Sequence, residues 1–439
     1  MKSNSGDENY PLVYYFRLSD TRRSPMKHDA APRVNPASPP NNENMMTHST
    51  KNSPLTPGLI MLMAIATGLA VASNYYPQPL LETIARAFDL SVNQAGFIVT
   101  VAQLGYACGL MFIVPLGDMF ERRGLIVVMT VLSAAGLLIT AMAPTLTIML
   151  IGTALTGLFS VVAQILVPLA ATLAEPERRG KVVGLIMSGL LLGILLARTV
   201  AGALATLGGW RTVYWVASAL MLIMALVLWR RLPKHKQHTD LNYGQLLKSI
   251  FSLFFHTPVL RTRALIGLCS FANFSILWTS MAFLLAGPAY HYSEGVIGLF
   301  GLVGAAGALA ATRAGQLADK GKAHLTTTVG LILLLLSWAA IAYGQYSVIS
   351  LIVGIILLDL AAQGVHITNQ SVIYKSMPEA RNRLTAGYMT TYFIGGAIGS
   401  LVSASAFEWA GWYGVSAAGV VMSSLNLLVW WSGHKHTMA

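Results

Sequence analysis

The stretch PLGDMFERRGLIVVMTVLSAAGLLITAMA, residues 115–143, joins a charged turn to a long apolar run. Asp118, Glu121, Arg122 and Arg123 crowd its first part, and no charged residue follows between Gly124 and Ala143. A soluble amphipathic helix keeps a charged face along its length. This one has none, and it runs for the roughly 20 residues that a helix needs to cross a bilayer. The reading is a charged loop at a membrane surface that feeds a spanning helix.

The rest of the chain repeats that design, as in GLIMLMAIATGLAVAS (58–73) and TVGLILLLLSWAAIAYG (328–344). Of the 439 residues, 55% are hydrophobic and 10% charged, against roughly a quarter charged in soluble domains. Mean hydropathy is +0.61. Apolar runs between charged or turn-rich breaks predict twelve spans, at 58–80, 94–116, 124–143, 147–172, 180–204, 211–231, 262–286, 294–316, 323–343, 347–371, 385–406 and 411–432. The longest internal break, 232–261, divides them six and six. The expected fold is an all-α membrane protein with 12 transmembrane helices in two six-helix pseudo-repeats, 57–231 and 262–433, joined by a cytoplasmic central loop. Residues 1–56, rich in Pro, Asn, Ser and Thr, read as a disordered cytoplasmic tail, with Met26, Met45 and Met46 as alternative starts. Residues 434–439 form a short C-terminal tail. No cleavable signal peptide pattern opens the chain. Cys108 and Cys269 lie in apolar runs and read as small core residues rather than a disulfide framework.

Charge sets the orientation, because Lys and Arg gather on the cytoplasmic side. With both termini inside, 26 of the 29 Lys and Arg fall on inner segments, Arg86 and Arg211 on outer loops, and Arg198 within a span. The net charge of +12 is thereby explained as topology and anionic-lipid contact, and nucleic acid is excluded as a partner.

Two inner loops are alike. PLGDMFERRG (115–124) follows span 2 and AGQLADKGKA (314–323) follows span 8. Each sets an aspartate, Asp118 or Asp319, at the inner end of the second helix of its half. Small-residue pairs recur in the second and fifth helix of each half: Gly105 and Gly109, Gly189 and Gly193, Gly298 to Gly307, Gly395 and Gly399. Such spacing lets helix backbones approach closely, and its recurrence predicts that these four helices meet across the two halves.

On these residues the chain resembles the major facilitator superfamily, from span 1 to span 12. The family's loop motif, roughly G-x-x-x-D-x-x-G-R-R, is matched at Asp118, Arg122 and Arg123, with Gly117 beside the aspartate. Val114 and Glu121 stand where glycines are usual. The second copy matches at Gly315 and Asp319. GWRTVYWV (209–216) resembles the family's start of span 6, and NYYPQPLLETIARAFDLS (74–91) resembles a bacterial subgroup whose substrates are mostly unassigned. The resemblance implies that Asp118, Arg122 and Arg123, and more weakly Asp319, latch the inner gate. Two departures matter. Thr153 stands where proton-linked members carry an arginine, and Ile194 replaces the proline of the span 5 antiporter motif.

Charge inside a span is costly and usually faces a cavity. Only Arg198, in GILLARTVAG (193–202), and Asp359 and His366 lie well inside the expected spans. Asp359, Gln363, His366 and Gln370 share one helical face of span 10, with Asn369 at its edge. Span 1 adds Asn74 and Gln78 with Tyr75 beside them, span 4 Gln164, and span 7 Asn273. These four helices line the central cavity in the superfamily. By depth, Arg198 can lean back to the level of Asp359 and pair with it; it can also snorkel to the outer headgroups.

The expected function is a secondary transporter of a small organic solute that works by alternating access in the inner membrane of a bacterium. Proton and solute competing for Asp359 and Arg198 would give efflux by antiport. Uptake by symport on the same fold is the alternative, and an anionic solute on Arg198 fits as well. A non-transporting sensor is a remote alternative, since the central loop is too short for a signalling domain. No G-x-x-x-x-G-K-[ST] motif, metal-ligand set or nucleophile–base set points to an ATPase or another enzyme. No cofactor is expected beyond a proton gradient, and the partners expected are the solute and the bilayer, with the chain as a monomer.

Overall fold

The computed structural model describes residues 55–175, 177–236, 242–311, 316–376 and 381–433. The body of the expected N-terminal tail, the C-terminal tail 434–439 and Gly315 lie outside these residues. In chain order the helices are α1 (Pro57–Ala72), α2 (Leu81–Phe88), α3 (Val92–Cys108), α4 (Arg122–Met142), α5 (Leu146–Phe159), α6 (Ala163–Leu173), α7 (Arg179–Gly208) and α8 (Trp210–Arg231). They continue with α9 (Tyr243–His256), α10 (Pro258–Ala286), α11 (Glu294–Ala310), α12 (Ala323–Tyr343), α13 (Val348–Ser376) and α14 (Arg381–Gly433).

Among the described residues, nine helices are long and apolar enough to cross a membrane, and α1 and α11 are shorter apolar helices. The last of the nine is broken within α14 at Ala410 (φ −140°) and Gly411 (φ 58°), so it comprises two helical arms. Local chemistry places the starts. Thr56 caps α1 through the Leu59 N–H, and Ser91 and Gln94 close a capping box on α3. Leu207, Trp409 and Trp431 are more than four-fifths exposed, which suits a surface solvated by lipid.

Three expectations are corrected. The central loop is not all loop: Asn242 and Gln245 form a capping box that starts α9, whose polar residues had masked its helical pattern. The break after span 1 holds the short helix α2. The seventh span starts at Pro258 rather than 262, with the proline at the first helical turn. Arg263, at the edge of the expected span and counted above with the inner loop charges, thereby sits more than a turn inside the helix and is 2% exposed.

The four helices that carry the small-residue pairs meet across the halves as expected, but most of the pairs themselves pack within a half. A Cβ at Gly105 would lie 2.7 Å from the Ala154 carbonyl, and Gly109 lies on Leu158; the contacts join α3 and the turn after it to α5. Gly189 and Gly193 pack on Ala64 and Gly68 of α1, and Gly395 and Gly399 on Leu268 and Ala272 of α10. These are contacts within a half. Across the halves, α7 meets α11 where Gly202 and Arg198 face Gly298 and Gly301, and α3 meets α14 where Gly96 faces Ala404. Polar contacts there include Thr100–Ser400 (2.8 Å) and Thr199 to the Gly298 carbonyl (3.0 Å), and three more lie towards one end. Thr83 donates to Glu294 (2.5 Å), the Asn93 backbone N–H to Glu408 (2.9 Å), and Ser405 to Asn93 (2.8 Å). Helix α10 runs through the middle, with 94% of its most apolar window buried.

Candidate functional site

Arg198 projects from α7 and is 3% exposed, so it does not snorkel to a surface. Its Nε donates to Oε1 of Gln78, in the short turn after α1, at 2.7 Å. Its guanidinium lies 3.9 Å from the ring centre of Trp278, 5.0 Å from Tyr75 and 5.3 Å from Phe274. Cation–π contacts of this kind hold a desolvated cation without a counter-charge.

Asp359, on α13, is also 3% exposed. Its Oδ1 accepts from the Trp278 indole N–H at 3.3 Å. One indole thus serves both charges, with its ring under Arg198 and its N–H on Asp359. No Arg198–Asp359 ion pair forms; the salt bridges within the described residues are Arg86–Glu82 and Arg122–Asp118. Gly304 of α11 leaves the room: a Cβ there would overlap Oδ2 of Asp359 and come 2.7 Å from the Trp278 ring.

A second polar cluster lies farther along α13. His366 Nδ1 is 3.0 Å from the Tyr388 hydroxyl, and its ring lies 4.5 Å from that of Tyr392. The Asn369 amide donates to Tyr388 (3.5 Å) and to the Arg263 carbonyl (3.3 Å). The Arg263 guanidinium donates in turn to Thr327 (2.7 Å) and Asn369 (3.2 Å). Gln370 reaches the Met389 sulfur at 3.7 Å. Gln363 and Gln164 are half-buried.

Two of the expected cavity residues turn elsewhere. Asn74 lines a small cleft with Ser73, Thr140, Thr153, Thr156 and Tyr214, inside the first half. Asn273 accepts from Trp338 (2.9 Å) and Ser423 (2.8 Å) and donates to Cys269 (2.9 Å), so its amide ties α10 to α12 and α14. Trp278, Phe274 and Arg263 were not singled out from the sequence, and Gly304 was read only as a packing residue. The spacing of Phe271, Phe274 and Trp278, an aromatic stripe at i, i+3, i+7, was the signal available for the first two.

The loop motif is built around Arg122, which is 3% exposed. Its Nη2 lies 3.3 Å from Asp118, and its Nε donates to the Gly117 carbonyl at 3.0 Å. Arg123 is half-buried beside it. Glu121, the apparent departure from the motif, caps α4. It accepts from the backbone N–H groups of Arg123 (2.8 Å), Gly124 (2.9 Å) and His235 (3.1 Å). Partial burial acts to raise its carboxyl, but these three donors outweigh that and hold it below the usual range. Asp319, in the second copy, lies in the turn Ala318–Lys322.

Comparison with known proteins agrees with this architecture. The model of the Major Facilitator Superfamily matches residues 63–379. The uncharacterized transporter YgaY of Escherichia coli O157:H7 is 71% identical over 389 residues, covering 88% of this chain and 99% of that protein. The "Probable transporter SCO4007" of Streptomyces coelicolor is 33% identical over 357 residues, covering 81% and 83%. Among solved structures, a bacterial homologue of the human lysosomal transporter Spinster, inward-facing and unoccupied, superposes with a TM-score of 0.74 at 14% identity, covering 89% of this chain and 98% of that one.

Proposed function

The chain belongs to the Major Facilitator Superfamily, and from that premise we propose that it is a proton-coupled secondary transporter of a small organic solute. Two six-helix halves, 57–231 and 262–433, rock about the site between them. Nine long apolar helices, two shorter ones and the break within α14 are consistent with twelve spans. The Lys and Arg bias is consistent with cytoplasmic termini in a bacterial inner membrane. In this orientation the end closed by Thr83–Glu294 and Asn93–Glu408 faces outward. Asp118, Arg122 and Arg123, with Gly117 in the same turn, form the inner latch, and Gly315 and Asp319 form its counterpart in the second half.

The observation that carries this reading is Asp359. It is a carboxylate 3% exposed on an apolar helix, with no cation in ion-pair range among the described residues and one indole N–H as donor. An ionised group so placed is costly, and a proton relieves the cost. Arg198, Gln78 and Tyr75 take the solute; Gln164, Gln363, His366 and Gln370 line its way inward.

Direction depends on the charge the solute engages. A solute that takes Asp359 excludes the proton there, and the cycle is efflux by antiport. A solute that takes Arg198 binds beside a protonated Asp359, and the cycle is symport. The missing Arg198–Asp359 pair favours this second cycle, because a proton on Asp359 leaves the arginine in place and unopposed.

A metabolite and drug panel on cells with and without the gene identifies a solute. Proteoliposomes carrying Asp359→Asn then lose accumulation driven by a pH gradient and keep exchange at equal pH. Full proton dependence in Asp359→Asn sinks the proposal.

A further inference from the structure

We infer that the transported solute is a small organic carboxylate, and that Arg198 and Gln78 bind its charged group. The inference rests on reading this site as the transport site.

The first support is a pair of donors. The Arg198 Nε to Gln78 Oε1 bond, 2.7 Å long, uses one donor of the guanidinium and the acceptor of the amide. Arg198 Nη2 and Gln78 Nε2 remain, each one carbon away from the atoms of that bond. Both are sealed from solvent, and neither has an acceptor among the described residues. Buried donors are normally satisfied. Two adjacent ones left over, one of them charged, fit the two oxygens of a carboxylate.

The second support is charge. Among the described residues, Arg198 and Arg263, 3% and 2% exposed, stand with one buried carboxylate, Asp359. Arg263 takes only neutral acceptors, Thr327 and Asn369. Positive charge is therefore in excess there, the more so with Asp359 protonated, and an anion reduces that excess while a cation worsens it. A neutral solute leaves it uncorrected.

The third support is the aromatic setting. Aromatic rings of Trp278, Tyr75 and Phe274 lie against the guanidinium. They give an apolar wall for the body of the solute. A planar carboxylate presented at a guanidinium's N–H edge makes parallel N–H···O bonds, a match that lysine does not reproduce.

The test is binding to the purified full-length chain in detergent, read as thermal stabilisation with no gradient present. The probes are benzoate, 3-phenylpropionate and hexanoate, each beside its uncharged amide, with inorganic phosphate as a further arm. The expected result is that at least one acid raises the melting temperature by several degrees while its amide does not. Arg198→Lys should weaken that acid by about tenfold, and Arg198→Gln should abolish its effect. Gln78→Leu, which keeps the arginine, should weaken the same acid and so covers the case in which Arg198→Gln fails to fold. Equal stabilisation by an amide, stabilisation by phosphate alone, failure of all three acids, or an undiminished acid effect in both Gln78→Leu and Arg198→Lys each overturns the inference. Because binding is read without a gradient, its failure is distinct from a failure of proton coupling, which only the Asp359→Asn proteoliposomes report.

Discussion

The indole N–H of Trp278 donates to Oδ1 of Asp359 at 3.3 Å, and the same ring lies 3.9 Å from the Arg198 guanidinium. The two buried charges are therefore linked through a neutral side chain instead of an ion pair. Phenylalanine at 278 keeps the ring and removes the N–H, so Trp278→Phe should keep solute binding and lose about tenfold or more in proton-driven transport, the scale of one hydrogen bond to a charged group. Trp278→Ala removes both contacts and a fully buried ring, and should cost about 3–5 kcal/mol of stability. Equal transport by Trp278→Phe and wild type, measured in proteoliposomes, would show that the N–H does no coupling.

Gly304 tests the same geometry from the opposite helix. A methyl there overlaps Asp359 Oδ2 and approaches Trp278 to 2.7 Å. Gly304→Ala should cost about 1–3 kcal/mol through overpacking and should reduce transport by more than that loss of folded protein explains. Gly184, in α7, meets nothing within 4 Å. Gly184→Ala should be neutral or stabilising by up to about 1 kcal/mol from helix propensity alone. Thermal melts and transport per folded molecule separate the two effects; similar behaviour of both variants would show that the space beside Asp359 is not needed.

Much of this architecture was legible in the sequence because lipid imposes a coarse code. Long uncharged runs gave most helices, and Arg198 and Asp359 stood out as lone charges. Trp278 did not, because an aromatic in an apolar span looks the same whether it packs or carries a charge. Arg263 was hidden by Arg261 and the nearby loop, since hydropathy cannot tell a helix's last exposed turn from its first buried one. Asn74 and Asn273 were assigned to the cavity from a helical face, but a polar face toward a neighbour in the same half has the same spacing. The glycines were read half correctly: the four helices do meet across the halves, and Gly298 and Gly301 lie at that contact, but Gly105, Gly109, Gly189, Gly193, Gly395 and Gly399 pack within a half, because their spacing reports close approach, not which helix approaches.

Arg263 offers a stability test independent of transport. It is a buried cation whose guanidinium is held by Thr327 and Asn369. Removing a supporting acceptor leaves the charge in place, so Asn369→Leu should destabilise by about 1–3 kcal/mol. Removing the charge itself is a different matter, since apolar replacements of buried ions are often neutral or better; Arg263→Met should lie within about 1 kcal/mol of wild type. Thermal melts in detergent check the order. If Arg263→Met is the less stable variant, the charge contributes to stability directly.

Glu121 gives a pH dependence with a definite sign. Three backbone N–H groups, including that of His235, bond its carboxylate and depress its proton affinity below the ordinary value of 4.5. A depressed carboxyl stabilises the fold above the unfolded value, and that contribution fades as pH falls through the folded one. At pH 7, Glu121→Ala should cost about 1 kcal/mol, the usual worth of a helix N-cap. Between pH 7 and pH 4 the wild type should therefore lose more melting temperature than Glu121→Gln, whose amide accepts the same bonds without titrating. The same comparison bears on the latch, because Glu121 ties the turn carrying Asp118 and Arg122 to His235 in the segment after α8. If Glu121→Gln and wild type fall in parallel over that range, the cap contributes no charge-dependent stability, and the glutamate at this motif position is explained by shape alone.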